Sequence, residues 1–155
     1  MPLMFAYGSN MDTQAMAKRC PRSRPLGVAR LMRFRFCIMP EGWGNVLADP
    51  RAVTHGVLWD VALPDMRALD AYERVEQGLY RKIMQGVIRA EGGAARALVY
   101  IGKGEGGTPR AEYIDGVIAA ARAWRLPEAH VKYLDRKSTR LNSSHIPLSR
   151  MPSSA

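Results

Sequence analysis

Apolar positions along the chain fall in short runs broken by Gly, Pro, Asn and Asp, the rhythm of a strand-rich domain. Leu3–Tyr7 reads as a first strand, followed by a short helix capped by Asp12 or Thr13 and running to about Arg19. Pro21 and Pro25 close that helix. Leu26–Leu31 and Phe34–Met39 follow as strands; in the second, Phe34, Phe36 and Ile38 alternate with Arg35 and Cys37. Glu41-Gly42-Trp43-Gly44 is a turn, Asn45–Ala48 a short strand closed by Asp49-Pro50, and Val53–Val61 a strand of good β-formers around Gly56. Leu63-Pro64-Asp65 opens a helix reaching Tyr72 or Glu73. Tyr80–Ala90, the turn Glu91-Gly92-Gly93 and Ala95–Ile101 make the clearest hairpin in the chain. Thr108-Pro109 starts a helix whose apolar stripe is Tyr113, Val117, Ile118, Ala121 and Trp124, and Pro127 starts a last short helix. Strands dominate and helices are few. The expected fold class is therefore α+β: a small mixed, mostly antiparallel barrel or curled sheet with flanking helices.

The exit from the first strand, Phe5-Ala6-Tyr7-Gly8-Ser9-Asn10-Met11, is the stretch richest in chemistry. Gly8 permits a close approach or a positive φ, and Ser9 and Asn10 bend a chain through local side-chain bonds. Two readings stand at this level: an ordinary strand-to-helix turn, or a pocket of outward N–H groups for an anion or oxyanion.

Composition narrows the class. A chain of 155 residues with 47% apolar content suits one domain with a core. The start, Met-Pro-Leu-Met-Phe-Ala, lacks the features of a signal peptide, and no apolar run reaches membrane length. Cys20 and Cys37 have no metal-ligand spacing, so reduced thiols in a cytoplasmic protein are expected. The net charge of +9 suggests nucleic acid, but no interleaved aromatic and basic strand and no reading helix accompanies it. Moreover, Asp135–Ala155 is Ser/Arg-rich, without periodicity, and similar to translated sequencing-library adapter. Arg136, Lys137, Arg140 and Arg150 against Asp135 place 3 of the 9 charges there. The expectation is a domain over 1–134 and a non-native, disordered tail over 135–155. The remaining charge includes a cluster at Arg22, Arg24, Arg30, Arg33 and Arg35, read as a solvated face rather than an anion-binding surface.

Few side chains are arranged for catalysis. There is no Walker loop, no dinucleotide fingerprint and no recognisable Ser/His/Asp or Cys/His spacing. His55 lies within a strand and reads as structural. Gly102–Gly107 reads as a hairpin exit loop, a lid being the lesser alternative. In Leu69-Asp70-Ala71-Tyr72-Glu73-Arg74, Asp70 and Glu73 stand one helical turn apart on one face. A carboxylate at a helix end beside apolar groups is a candidate acid/base. The competing reading pairs Asp70 or Glu73 with Arg67 or Arg74.

Four stretches taken together resemble the γ-glutamylcyclotransferases: Phe-Ala-Tyr-Gly-Ser-Asn-Met at 5–11, His-Gly-Val-Leu-Trp-Asp-Val at 55–61, Leu-Asp-Ala-Tyr-Glu at 69–73 and Gly-Leu-Tyr-Arg-Lys at 78–82. The resemblance spans Leu3–Leu134 and is to a bacterial-like member of the Tyr-Gly-Ser-Asn type. It implies that family's small barrel and the cyclisation of a γ-glutamyl amino acid or amine to 5-oxoproline. It also implies Glu73 as catalytic residue, and Phe5, Ala6, Tyr7, Gly8, Ser9, Asn10, Tyr80 and Tyr113 as substrate-binding residues. No cofactor or metal is implied. The partner is a small-molecule γ-glutamyl substrate, with no nucleic acid and no membrane, for a monomer or homodimer. Arg74 departs from the glycine usual after the glutamate. The alternative on the same fold is a non-catalytic binding or regulatory module.

Overall fold

The computed structural model describes residues 2–143. Five strands close a barrel in the order β1-β3-β2-β4-β5: β1 (Leu3–Ala6), β2 (Arg24–Ile38), β3 (Gly44–Asp60), β4 (Arg81–Arg89) and β5 (Ala94–Ile101). Neighbours are antiparallel except where β1 meets β5 in parallel at Met4 and Leu98. Four helices flank it: α1 (Thr13–Arg19), α2 (Leu63–Tyr72), α3 (Ala111–Ala123) and α4 (Glu128–Ser143). The expected α+β barrel is the fold observed.

Local chemistry explains most boundaries. The Asp12 side chain caps α1 by accepting from the Gln14 and Ala15 amides. Pro64 sits in the first turn of α2, where its missing N–H costs nothing. The β4–β5 hairpin turns at Glu91-Gly92-Gly93 as expected, with both glycines at positive φ. The core packs Phe5, Leu31, Phe36, Val46, Val57, Val87 and Val99 from all five strands against Ile114 and Val117 of α3 and Leu134 of α4. Each of these side chains is almost wholly removed from water, at about 25 cal/mol per Å² of apolar surface.

Three expectations need correction. The paired short strands at 26–31/34–39 and 45–48/53–61 are two long ones, β2 and β3. Their register runs continuously from Arg24↔Asp60 to Ile38↔Gly44 except for shifts at Pro25/Gly27 and Met32/Phe34. At the second shift Arg33 adopts φ 67°, so a bulge reverses the alternation without ending the strand. The segment expected to be unstructured from Asp135 continues α4 as far as Ser143, with Arg136 and Lys137 over the Tyr133 ring. The rest of that segment, 144–155, including Ile146 and Leu148, lies outside the described residues, as does the side chain of Leu141. The arginine cluster is not one patch: Arg24 and Arg35 are separated by roughly 35 Å of β2, and they pair with Asp60 and with Asp49 and Glu105 respectively.

The Gly102–Gly107 loop is tied down rather than free. Asn45 donates to the Gly104 carbonyl and accepts from the Gly102 amide, and Glu105 holds Arg35. Among the described residues no helix is long and apolar enough to cross a membrane.

Candidate active site

β1 delivers the site. Tyr7, the residue that follows this strand, is buried, and its hydroxyl donates to the Tyr100 carbonyl of β5. The chain then turns through a single 3-10 turn at Ser9–Met11, in which the Met11 and Asp12 amides bond back to Gly8 and Ser9. The Ser9 and Asn10 amides precede the first bond of that turn, where a helical turn leaves its donors without internal partners. Gly8 has no positive φ. Its lack of a side chain serves close approach: a Cβ there would sit 2.6 Å from the Tyr113 hydroxyl.

Glu73 reaches the same place from α2, which it ends. Its Oε2 accepts from Asn10 Nδ2 at 2.7 Å, and Asn10 Oδ1 in turn accepts from Arg19 Nη1 at the end of α1. The Arg19 guanidinium lies 3.4 Å from the centre of the Tyr72 ring, and the Tyr72 hydroxyl meets Ser9 Oγ at 2.9 Å. Arg74 then turns the chain at φ 54°. That left-handed conformation favours glycine, which is the residue the family resemblance leads one to expect at this position.

The opposite wall is built around the Gly44 peptide. Its N–H donates to the Tyr113 hydroxyl at 3.0 Å and its carbonyl accepts from the Tyr80 hydroxyl at 2.6 Å. Trp43 packs edge-on against Tyr113, with centroids 5.3 Å apart. Between these walls lies a cavity of about 360 Å³. Every residue from Phe5 to Asn10 lines it, together with Glu73, Tyr80 and Tyr113. Sequence reasoning missed Trp43, Gly44, Tyr72 and Tyr100, which also line it. The only signal for them was the Trp-Gly turn at 43–44 and Tyr72 within the Leu-Asp-Ala-Tyr-Glu stretch.

Asp70 does not join Glu73. It accepts from Tyr100 Oη at 2.6 Å and pairs with Lys82 Nζ at 2.9 Å, and it is absent from the cavity lining. The two carboxylates are close enough for Asp70 to act on Glu73, but they take different partners: Glu73 turns to Asn10 and the cavity, Asp70 to Tyr100 and Lys82. The expected pairings with Arg67 and Arg74 are likewise not the ones formed.

The electrostatics separate the groups by role. Burial pushes the Glu73 carboxyl from its ordinary 4.5 up to about 7, against the opposing effects of the Asn10 hydrogen bond and the Arg19 charge; Asp70 adds to the rise. Burial also raises the phenols of Tyr7, Tyr80 and Tyr113, so they are hydroxyl donors at neutral pH. Tyr7 and Tyr80 spend their protons on backbone carbonyls. Tyr113 accepts from Gly44, and its own O–H meets no acceptor among the described residues. The cavity thus offers one carboxyl group near its midpoint at neutral pH, one uncommitted phenol and a turn of backbone amides. A carboxyl group so poised takes and returns protons efficiently.

Fold and cavity together define a small closed barrel with a tyrosine-walled pocket and a single half-buried glutamate at its edge. The chain belongs to the AIG2-like family, whose sequence profile matches residues 54–134. It is 28% identical over 143 residues to the γ-glutamylcyclotransferase of Mus musculus, covering 85% of this chain and 76% of the relative. It is 32% identical over 100 residues to that of Bos taurus, covering 58% and 53%, so this match spans about half of the bovine protein. A solved γ-glutamyl cyclotransferase structure superposes with a TM-score of 0.80 at 25% identity, covering 86% of each chain.

Proposed function

We propose that the protein is a cytoplasmic γ-glutamylcyclotransferase: it converts a γ-glutamyl amino acid or amine to 5-oxoproline and releases the amino acid or amine. The observation that carries this reading is the meeting, in one cavity, of a glutamate held near pH 7 and the Gly8–Asn10 turn.

The substrate contains its own nucleophile. Its α-amine, once deprotonated, reaches the γ-carbonyl carbon to close a five-membered ring. Holding that geometry supplies about 7–11 kcal/mol of the barrier. Glu73 in its ionised form takes a proton from the α-ammonium. The amine nitrogen bonds to the γ-carbon, and the carbonyl oxygen becomes an oxyanion. The Ser9 and Asn10 amides and the Tyr113 hydroxyl are the donors for that oxyanion, each such donor being worth about 2.7–4 kcal/mol. The bond from the γ-carbon to the amide nitrogen then breaks as Glu73 returns its proton to that leaving nitrogen. The ring nitrogen, which still carries two protons after the attack, gives up one of them, and the freed amine takes up a proton to leave as an ammonium. No water is consumed, so substrate and products balance as an isomerisation followed by separation. One carboxyl group serves as base and then acid, which requires a pKa near the working pH.

The test is a panel of γ-glutamyl amino acids, glutathione and γ-glutamyl-lysine, with 5-oxoproline measured. Release from at least one substrate at a rate well above that of Glu73→Gln is expected. No release from any of them would overturn the assignment.

A further inference from the structure

Arg19 stands outside the cavity lining yet is coupled to its carboxylate. We propose that Arg19 is a positioning residue for Glu73, acting through Asn10. The proposal rests on the reading of Glu73 as proton shuttle.

The carbonyl and amino ends of the Asn10 side chain have nearly the same shape, so the neighbours decide which end faces where. With its amino end toward Glu73, Asn10 stabilises the carboxylate. With its carbonyl end there, it would oppose the carboxylate and accept a hydrogen bond only from the protonated acid. A guanidinium has donors and no acceptor. Arg19 Nη1 on Asn10 Oδ1 therefore fixes the orientation in which Nδ2 meets Glu73 at 2.7 Å.

Arg19 is itself held. It ends α1 and its guanidinium sits over the Tyr72 ring, and Tyr72 ties to Ser9. Asn10 is 5% exposed, so water does not readily replace the arginine in this role. The charge acts in the same direction as the orientation, since a fixed cation near a carboxylate favours its ionised form. The other groups that interact with Glu73 are Asp70 from α2 and the hydroxyls of Tyr7, Tyr80, Tyr100 and Tyr113. None of these is a cation, so Arg19 supplies the positive charge that opposes burial at this carboxylate.

The experiment follows the Glu73 carboxyl directly, by ¹³C NMR titration of the full chain labelled in glutamate, with kcat/KM against pH for γ-glutamyl-alanine in parallel. Wild type is compared with Arg19→Met, which keeps the stem, and with Arg19→Gln, which keeps a donor for Asn10 but loses the charge. Both are repeated in an Asn10→Ala background. Arg19→Met is expected to move the Glu73 midpoint up by about 0.5–1 unit, with the rising limb of kcat/KM moving equally. Arg19→Gln is expected to move it by less. With Asn10 gone, the effect of Arg19→Met is expected to fall to under half. An unchanged midpoint, or an equal shift with and without Asn10, overturns the proposal. If Arg19→Met fails to fold, Arg19→Leu, which likewise removes both the donor and the charge, carries the test, and no shift there overturns it. The titration needs no turnover. A moving midpoint in a protein that releases no 5-oxoproline would thus retain the Arg19 coupling and discard the catalytic reading. Turnover that depends on Glu73, with an unmoved midpoint, would do the reverse.

Discussion

Replacing Glu73 by Gln is expected to cut turnover by orders of magnitude and to stabilise the fold above neutral pH. The folded carboxyl titrates near 7 against an ordinary 4.5. Between those values the unfolded chain has lost the proton and the folded chain keeps it. Stability from this group is therefore full below 4.5 and is lost as pH rises through 7. At about 1.36 kcal/mol per unit, the whole arm amounts to about 3 kcal/mol. His130 works in the opposite sense. Burial, with His55 beside it, lowers its pKa from 6.5 to about 4, and the two rings meet edge-on at 5.3 Å. Its contribution is present above 6.5 and is lost as pH falls toward 4. The two slopes oppose each other between about 4.5 and 6.5, and wild-type stability is expected to be nearly flat there. Glu73→Gln uncovers the histidine arm: stability rises with pH, and at pH 8 exceeds wild type by about 2–3 kcal/mol. His130→Phe uncovers the glutamate arm, and stability falls as pH rises. The assay is urea unfolding followed by tryptophan fluorescence at half-unit pH steps, with 5-oxoproline release measured on the same samples. Turnover in Glu73→Gln is expected to drop by about 10²–10⁴-fold. Parallel stability curves for wild type and Glu73→Gln would refute the buried acid, and near-normal turnover in the folded variant would refute the shuttle.

Gly8→Ala places a methyl 2.6 Å from the Tyr113 hydroxyl; it is expected to cost about 1–3 kcal/mol and at least tenfold in turnover, and Tyr113→Phe in the same chain should return part of the stability, as read by melting curves. Arg74→Gly removes a side chain from φ 54° and is expected to stabilise by about 0.5–1 kcal/mol, a loss of stability in urea unfolding being the contrary result. Asp70→Asn weakens the bonds to Tyr100 and Lys82 and is expected to cost about 1–2 kcal/mol while changing turnover only a few-fold; a hundredfold loss in a well-folded variant would give Asp70 the role assigned here to Glu73.

The parts of the fold that were legible in the sequence are those whose causes are local. Asp12 as a cap, Pro64 in a first helical turn and Gly92-Gly93 in a hairpin act within a few residues, and each marks its element. The β2–β3 pairing was not legible as two strands, because the bulge at Arg33 shifts the alternation by one and Asp49-Pro50 resembles a turn. The two short strands read on either side are the same strand seen in two phases. At the cavity, residues 5–10, Glu73, Tyr80 and Tyr113 were legible through their resemblance to a family. Gly44 and Tyr100 were not, since each acts through a partner distant in sequence, Gly44 with Tyr113 and Tyr100 with Tyr7; nor was Arg19, whose link to Glu73 runs through the Asn10 side chain. Spacing alone did not choose between Asp70 and Glu73; the resemblance chose Glu73, and in the structure Asp70 bonds to Tyr100 and Lys82 while Glu73 lines the cavity.

The parallel seam between β1 and β5 bears on how the protein comes into being. Every other strand pair is antiparallel, and the hairpin contacts of β4 with β5 form between near neighbours in the chain. The seam joins residues on either side of almost the whole domain; Tyr7 and Tyr100 stand 93 positions apart. Such a long-range closure carries an entropic cost before any contact rewards it, so the seam is expected to form late in folding. The Gly8–Asn10 turn follows directly on β1. The pocket would then be assembled in the same step that closes the cylinder, and a chain arrested one step short would hold most of its sheet and none of its pocket.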